Sequence, residues 1–235
     1  MNSLAEFRAH AEAPDWTPPT VPEPAVVVAA PSTLKACAVA TSRRKRAFDF
    51  IVSLGAILFF LPLLLTIAML VRLESPGPAL FRQRRTGLNE VIFTVFKFRT
   101  MTVAEDGDTV RQATRGDARI TALGAVLRKF SLDELPQFLN VLRGEMSLIG
   151  PRPHAVAHDE TWREQAPGYD QRFRARPGLT GYAAVRGFRG EVRELQAIID
   201  RVDADNEYID TWTFMLDLKI AWRTIPLIFA DSRAY

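Results

Sequence analysis

A single cysteine, Cys37, rules out a disulfide framework and a cysteine-built metal cluster. Charge of one sign is also scarce: 30 Lys and Arg against 27 Asp and Glu leave a net of +3 over 235 residues. That balance is too mild to argue for nucleic acid, and no RNP, zinc-finger or helix-turn-helix pattern accompanies it. No internal repeat is present. An early apolar segment is missing too, because Arg43-Arg44-Lys45-Arg46 and the apolar run behind it start too late for a secretory signal. What the length does allow is one sizeable domain with appendages.

Residues 1–42 are rich in Pro and Ala, with Pro14, Pro18, Pro19, Pro22, Pro24 and Pro31 interrupting any helix or strand, and read as a disordered tail. Ala47 to Val71 is almost wholly apolar, broken by Asp49, Ser53 and Thr66, and is long enough for a membrane helix. Basic residues flank both ends: Arg43 to Arg46 before, and Arg72, Arg82, Arg84 and Arg85 after. Positive charge prefers the cytoplasmic side, and here both ends want it. Pro62 lies near the middle and removes a helix hydrogen bond. A re-entrant helix over residues 43–73, bent at Pro62, satisfies both observations; a straight span is the alternative.

Residues 74–235 then form a cytoplasmic unit. Val91 to Phe96 reads as a strand, and Lys97 and Arg99 share one face if it continues extended. Residues 103–117 are polar and read as a loop. Ile120, Leu123, Leu127 and Phe130 recur at helical spacing, predicting an amphipathic helix over 118–130. Phe214, Met215, Leu218, Trp222, Ile225 and Phe229 fall on one face of a C-terminal helix, with Lys219 and Arg223 beside it and Trp212 at its edge. That face suits either a membrane interface or a core. The fold class is α+β, mostly helical.

The chemistry concentrates at Ser131-Leu132-Asp133-Glu134-Leu135-Pro136. Ser131 and Glu134 have capping-box spacing, which gives Glu134 a purely structural account. The neighbouring Arg128 and Lys129 favour a phosphate instead. An aspartate here can attack a phosphoryl group while the adjacent glutamate holds Mg²⁺, a metal that takes one or two carboxylates plus substrate phosphate oxygens. Arg152, between Pro151 and Pro153, has a stiff backbone suited to bidentate phosphate contact. His154 and His158 have zinc-ligand spacing, but the sequence offers them no third ligand.

Residues 128–137 and 140–153, together with Lys97-Phe98-Arg99-Thr100-Met101 and Arg176-Pro177-Gly178-Leu179-Thr180-Gly181, resemble the bacterial sugar transferase family. These are small monotopic phosphoglycosyl transferases, and the likeness runs from about Arg43 to the C-terminus. The resemblance implies transfer of a sugar-1-phosphate from a UDP-sugar to undecaprenyl phosphate, with release of UMP. It makes Asp133 the nucleophile that carries the phosphosugar and Glu134 the Mg²⁺ ligand. Lys97, Arg99, Arg128, Arg152 and Arg176 become the phosphate- and substrate-binding cations. It further implies the cytoplasmic face of a bacterial inner membrane, contact with membrane lipid, and essentially the catalytic module without the multi-span N-terminal region of larger members. A homo-oligomer is compatible with it; nucleic acid is not expected.

Within the family, residues 153–158 and 187–191 resemble members that start glucose-linked exopolysaccharides, so UDP-glucose is the implied donor and UDP-galactose the second choice. Ala184 and Arg186 depart from the Gln and Asn often found in such members, and Leu61-Pro62 from the Ser-Pro of some. The competing class is a catalytically silent membrane scaffold with a basic face, which would tolerate Asp133→Asn. A further alternative reads the basic surface as a binder of anionic lipid.

Overall fold

The computed structural model describes residues 37–102, 114, 116–188, 190 and 194–230, the last three without their side chains. Residues 1–36 of the expected tail, most of the 103–117 loop, Arg189, residues 191–193 and the side chain of Phe229 lie outside the described residues.

The final residues of the expected tail are ordered. Ala38–Thr41 forms a short helix, α1, because Val39 packs into a core with Ile149, Tyr208, Ile209 and Ile220. The long helix α2 follows, Arg43–Glu74. Ser42 caps it, its side chain accepting from Lys45 N at 3.2 Å. Its 32 residues would span about 48 Å if straight, and it is the one described helix long and apolar enough to cross a membrane.

What α2 buries is informative. Near its start Lys45, Asp49 and Ser53, one turn apart, face the body; near its end Ile67 and Val71 do. Between them Leu58, Phe59 and Leu65 are more than 60% exposed. A soluble core helix would bury that middle.

Two short sheets support the helices. β1 (Leu80–Thr86) pairs antiparallel with β2 (Ile92–Phe98), Leu80 opposite Phe98 and Thr86 opposite Ile92. β2 continues to Phe98 and carries Lys97, as the sequence predicts. α3 is Ala122–Lys129, shorter than the expected 118–130, because Thr121 caps Gly124 N and Ile120 is engaged in a bridge with Met101. α4 (Gln137–Arg143) is tied to β2 by the buried side chain of Asn140, which accepts from Phe96 N at 3.0 Å and donates to Thr94 O at 2.6 Å.

β3 (Ser147–Ile149) and β4 (Gly178–Thr180) pair in parallel. α5 (Val156–Gln165), α6 (Tyr182–Val185), α7 (Leu195–Thr211) and α8 (Phe214–Ala230) complete the body. The described residues are thus mostly helical with short strands, the expected class. On α8, Ile220 and Asp217 are buried while Met215, Leu218, Trp222 and Ile225 are exposed, Trp222 to 75%. Trp212 points inward instead, donating to Asp217 Oδ2 at 3.1 Å.

Candidate active site

The chain reverses at Ser131, which takes the left-handed conformation (φ 54°), and enters a single 3₁₀ turn, Leu132–Glu134. The capping box is not made. Glu134 turns its carboxylate to cations from two other elements rather than back to the start of the turn. Lys97 Nζ of β2 lies 2.7 Å from Glu134 Oε1, and Arg152 Nη2 lies 2.8 Å from the same oxygen. Asp133 beside it is only 8% exposed.

The two carboxyls are driven apart by their surroundings. Burial pushes Asp133 up to about 6, against the pull of Lys97 and with a push from the Glu134 charge. Burial acts on Glu134 as well, but Arg152 and Lys97 outweigh it and hold the group well below the usual carboxylate range. Lys97 is lowered, chiefly by burial, with Glu134 opposing and Arg152 adding to the shift. Arg128, half-buried at the end of α3 with Nη1 3.9 Å from Met101 Sδ, adds positive potential at Asp133.

The Arg152 loop is seated by close backbone approaches. A Cβ on Gly150 would lie 2.3 Å from Arg176 O, and one on Gly178 would lie 2.2 Å from Gly150 N. Only glycine permits this contact between the two segments, which gives Gly150-Pro151 and Pro177-Gly178 a physical origin.

Of the expected binding cations, the structure brings Lys97, Arg128 and Arg152 to the carboxylate pair. It does not bring Arg99 or Arg176. Arg99 turns back to the end of α2, donating to Ser75 O at 2.7 Å, Val71 O at 3.1 Å and Pro76 O. These are carbonyls left open where the helix ends, and a guanidinium fork fits them. Arg176 donates to Gly144 O and Ala40 O, both at 2.9 Å, joining α4 to α1. His154 and His158 do not form a zinc pair: His154 Nδ1 lies 2.7 Å from Tyr169 Oη, and His158 stacks on Trp162.

Arg85 was missed by the sequence reading beyond its part in the flanking charge. It sits on β1, its Nη1 donates to Pro153 O at 3.0 Å, and its charge bears on Lys97. Phe81-Arg82-Gln83-Arg84-Arg85 has no alternating pattern to mark β1 as a strand; once it is extended, Arg85 shares a face with Gln83.

Two adjacent carboxylates, Asp133 and Glu134, are chemically a donor set that would suit Mg²⁺. Both cations fall on Glu134 Oε1, so Oε2 takes neither of those contacts and lies next to Asp133 in the chain. Among the described residues no group of three or more His, Cys, Asp or Glu side chains could hold a metal. One or two carboxylates completed by substrate phosphate is the donor set Mg²⁺ favours.

The sequence profile described as "Bacterial sugar transferase" matches residues 40–231. The chain is 51% identical over 197 residues to a UDP-glucose:undecaprenyl-phosphate glucose-1-phosphate transferase of Caulobacter vibrioides, covering 84% of this chain and 74% of that protein. It is 47% identical to a protein of the same name from Escherichia coli, covering 81% of this chain but 41% of that protein. It is 44% identical to exopolysaccharide production protein PSS of Rhizobium leguminosarum, covering 77% and 92%. The profile spans the apolar helix α2, the carboxylate pair and the Arg152 loop alike, and the chain belongs to the bacterial sugar transferase family.

Proposed function

We propose that this enzyme transfers glucose-1-phosphate from UDP-glucose to undecaprenyl phosphate, releasing UMP, as the first membrane step of exopolysaccharide synthesis. The observation that carries the reading is the Lys97–Glu134–Arg152 cluster beside the buried Asp133. The names of the relatives support glucose as the sugar and undecaprenyl phosphate as the carrier.

An Asp133 oxygen attacks the phosphorus that carries glucose; the bond to the UMP oxygen breaks and an acyl phosphate forms. An oxygen of undecaprenyl phosphate then attacks the same phosphorus and returns Asp133 as carboxylate. Asp133 suits both halves: burial makes it more basic than an ordinary carboxylate, yet it stays largely ionised at neutral pH. Lys97, Arg128 and Arg152 meet the charge on the leaving phosphate. Glu134 orders Lys97 and Arg152 and would hold Mg²⁺. When bound, that ion supplies neutralisation of the diphosphate.

The helix α2 is proposed to re-enter rather than cross, keeping the body on the cytoplasmic face. The support is that both of its ends dock on one body. At the start, Lys45 pairs with Asp217 of α8 at 2.7 Å and Arg46 donates to Val141 O and Leu142 O of α4. At the end, Ile67 and Val71 pack on Phe98 and Leu127, and Arg99 grips the terminal carbonyls. A straight span would carry its ends to opposite sides of a core about 30 Å thick. The exposed face of α8 would then lie in the same interface, with Trp222 at headgroup level.

The test is UMP release from a panel of UDP-sugars with undecaprenyl phosphate and Mg²⁺ in detergent. Release with UDP-glucose above UDP-galactose and UDP-N-acetylgalactosamine is expected. Preference for another sugar would overturn the donor assignment, and turnover without any polyprenyl phosphate would overturn the acceptor.

A further inference from the structure

Pro151 and Pro153 have no N–H, so the loop that carries Arg152 is held largely through its carbonyls. Each of the three is taken by a different element. Gly178 N of β4 donates to Pro151 O at 2.8 Å, Arg172 Nη2 to Arg152 O at 2.6 Å, and Arg85 Nη1 of β1 to Pro153 O at 3.0 Å. The first bond belongs to backbone pairing beside a sheet. The other two depend on side chains.

Arg172 is almost fully buried and committed on every side. Its Nε donates to Asp205 Oδ2 at 2.9 Å, its Nη1 lies 3.1 Å from His154 Nδ1, and its guanidinium stacks 5.0 Å from the Tyr169 ring centre. Such a group has no reach to substrate. Its one contact with the site is the carbonyl of Arg152. The Arg152 side chain itself is 47% exposed, so solvent does not confine it and its backbone must aim it.

We propose that Arg172 and Arg85 are positioning residues, fixing the Pro151–Pro153 backbone so that the Arg152 guanidinium meets Glu134 and the donor phosphate. The proposal rests on the placing of Arg152 in the site. Both bonds are charge-assisted and so hold a loop more firmly than neutral ones. Asp205 compensates the buried charge of Arg172, and Lys could not replace the fork, since one nitrogen cannot serve Asp205, His154 and Arg152 O together.

The test is a double-mutant cycle on UMP release from UDP-glucose, with Arg172→Lys, Arg85→Lys, Arg152→Ala and Arg152→Ala/Arg172→Lys. Rates are normalised to protein that melts cooperatively. Arg172→Lys is expected to lose roughly 10- to 100-fold in kcat/KM, mainly through kcat, as a misplacement of about 1 Å would cause. Arg85→Lys shifts the same way through the second carbonyl, and keeps the proposal open to refutation should the Arg172 variant not fold. In the Arg152→Ala background, Arg172→Lys is expected to cost no more than about twofold further, since nothing is left to aim. A purely structural role would lower the melting temperature and leave turnover per folded molecule unchanged in both single variants, overturning the proposal. Losses that multiply in full across the cycle would overturn it as well. If Arg152→Ala were itself fully active, the site reading would fail with it; wild-type turnover in Arg172→Lys beside an impaired Arg152→Ala would refute the positioning role alone.

Discussion

Asp133 and Glu134 are adjacent in the chain, yet their surroundings give them opposite acidities. Asp133 is buried and pushed up to about 6, while Glu134, held by Lys97 at 2.7 Å and Arg152 at 2.8 Å, is pulled well below the usual range. One carboxylate is thereby made basic and the other kept ionised throughout. This is the division of labour that a nucleophile and a charge-organising partner require.

The pH dependence of turnover follows directly. In the proposed reaction Asp133 acts as the carboxylate, so protonation as pH falls through about 6 removes the nucleophile. Below that point kcat/KM should drop about tenfold per pH unit, while Glu134 stays charged. A pH–rate profile of UMP release checks this. A rate that held level down to the ordinary aspartate value of 3.8 would contradict the raised acidity constant.

The buried pair Lys45–Asp217 ties the start of α2 to α8, with Tyr208 and Trp212 also donating to Asp217. Removing the carboxylate leaves the buried Lys45 ammonium with only the Asp49 charge nearby, a loss of about 3–5 kcal/mol. Asp217→Ala should therefore melt far below wild type in detergent. Replacing both partners together, Lys45→Met with Asp217→Leu, should recover much of the loss; the two are compared by thermal unfolding.

Arg99 offers a contrast with Lys97 and Arg152, which contact Glu134. It grips Ser75 O, Val71 O and Pro76 O at the end of α2 and makes none of the contacts at the carboxylate pair. Arg99→Ala is expected to cost about 1.5–3 kcal/mol of stability for its charged hydrogen bonds, without raising KM for UDP-glucose. Lys97→Ala should do the reverse, abolishing most turnover at a smaller cost in stability. Calorimetry beside steady-state kinetics separates the two.

Trp222 is 75% exposed on an apolar helix face with Lys219 and Arg223 also exposed on the helix. In vesicles its emission should be quenched by lipids brominated near the headgroup more than by those brominated deep in the chain. That component should vanish in Trp222→Phe. Quenching by aqueous iodide alone would refute an interfacial α8.

Much of this was legible in the sequence because it rests on local pattern. The apolar run, the β-branched strand before Lys97 and the apolar face of α8 each follow from periodicity and composition; that this face is exposed rather than buried does not. The contiguous motifs gave Asp133, Glu134 and Arg152 together. What was not legible is long-range pairing. Lys97 and Arg99 share a strand face on paper, but β2 ends at Phe98, and the Arg99 side chain is drawn to the carbonyls at the end of α2. Arg176 is carried to α4 and α1 by the fit of Gly178 against Gly150. The capping-box reading of Glu134 failed because two cations from distant segments offer its carboxylate more than a backbone N–H can. Arg172 had no sequence signal, since its partners Asp205 and the Arg152 carbonyl are 33 and 20 residues away.

The measurement that bears most directly on the account is intact-protein mass spectrometry after incubation with UDP-glucose and Mg²⁺, with undecaprenyl phosphate left out. The account predicts one hexose phosphate added to the protein, lost when undecaprenyl phosphate is added and never formed in Asp133→Asn. UMP release only when both substrates are present, with no adduct at any time, would contradict it and point to direct transfer between them.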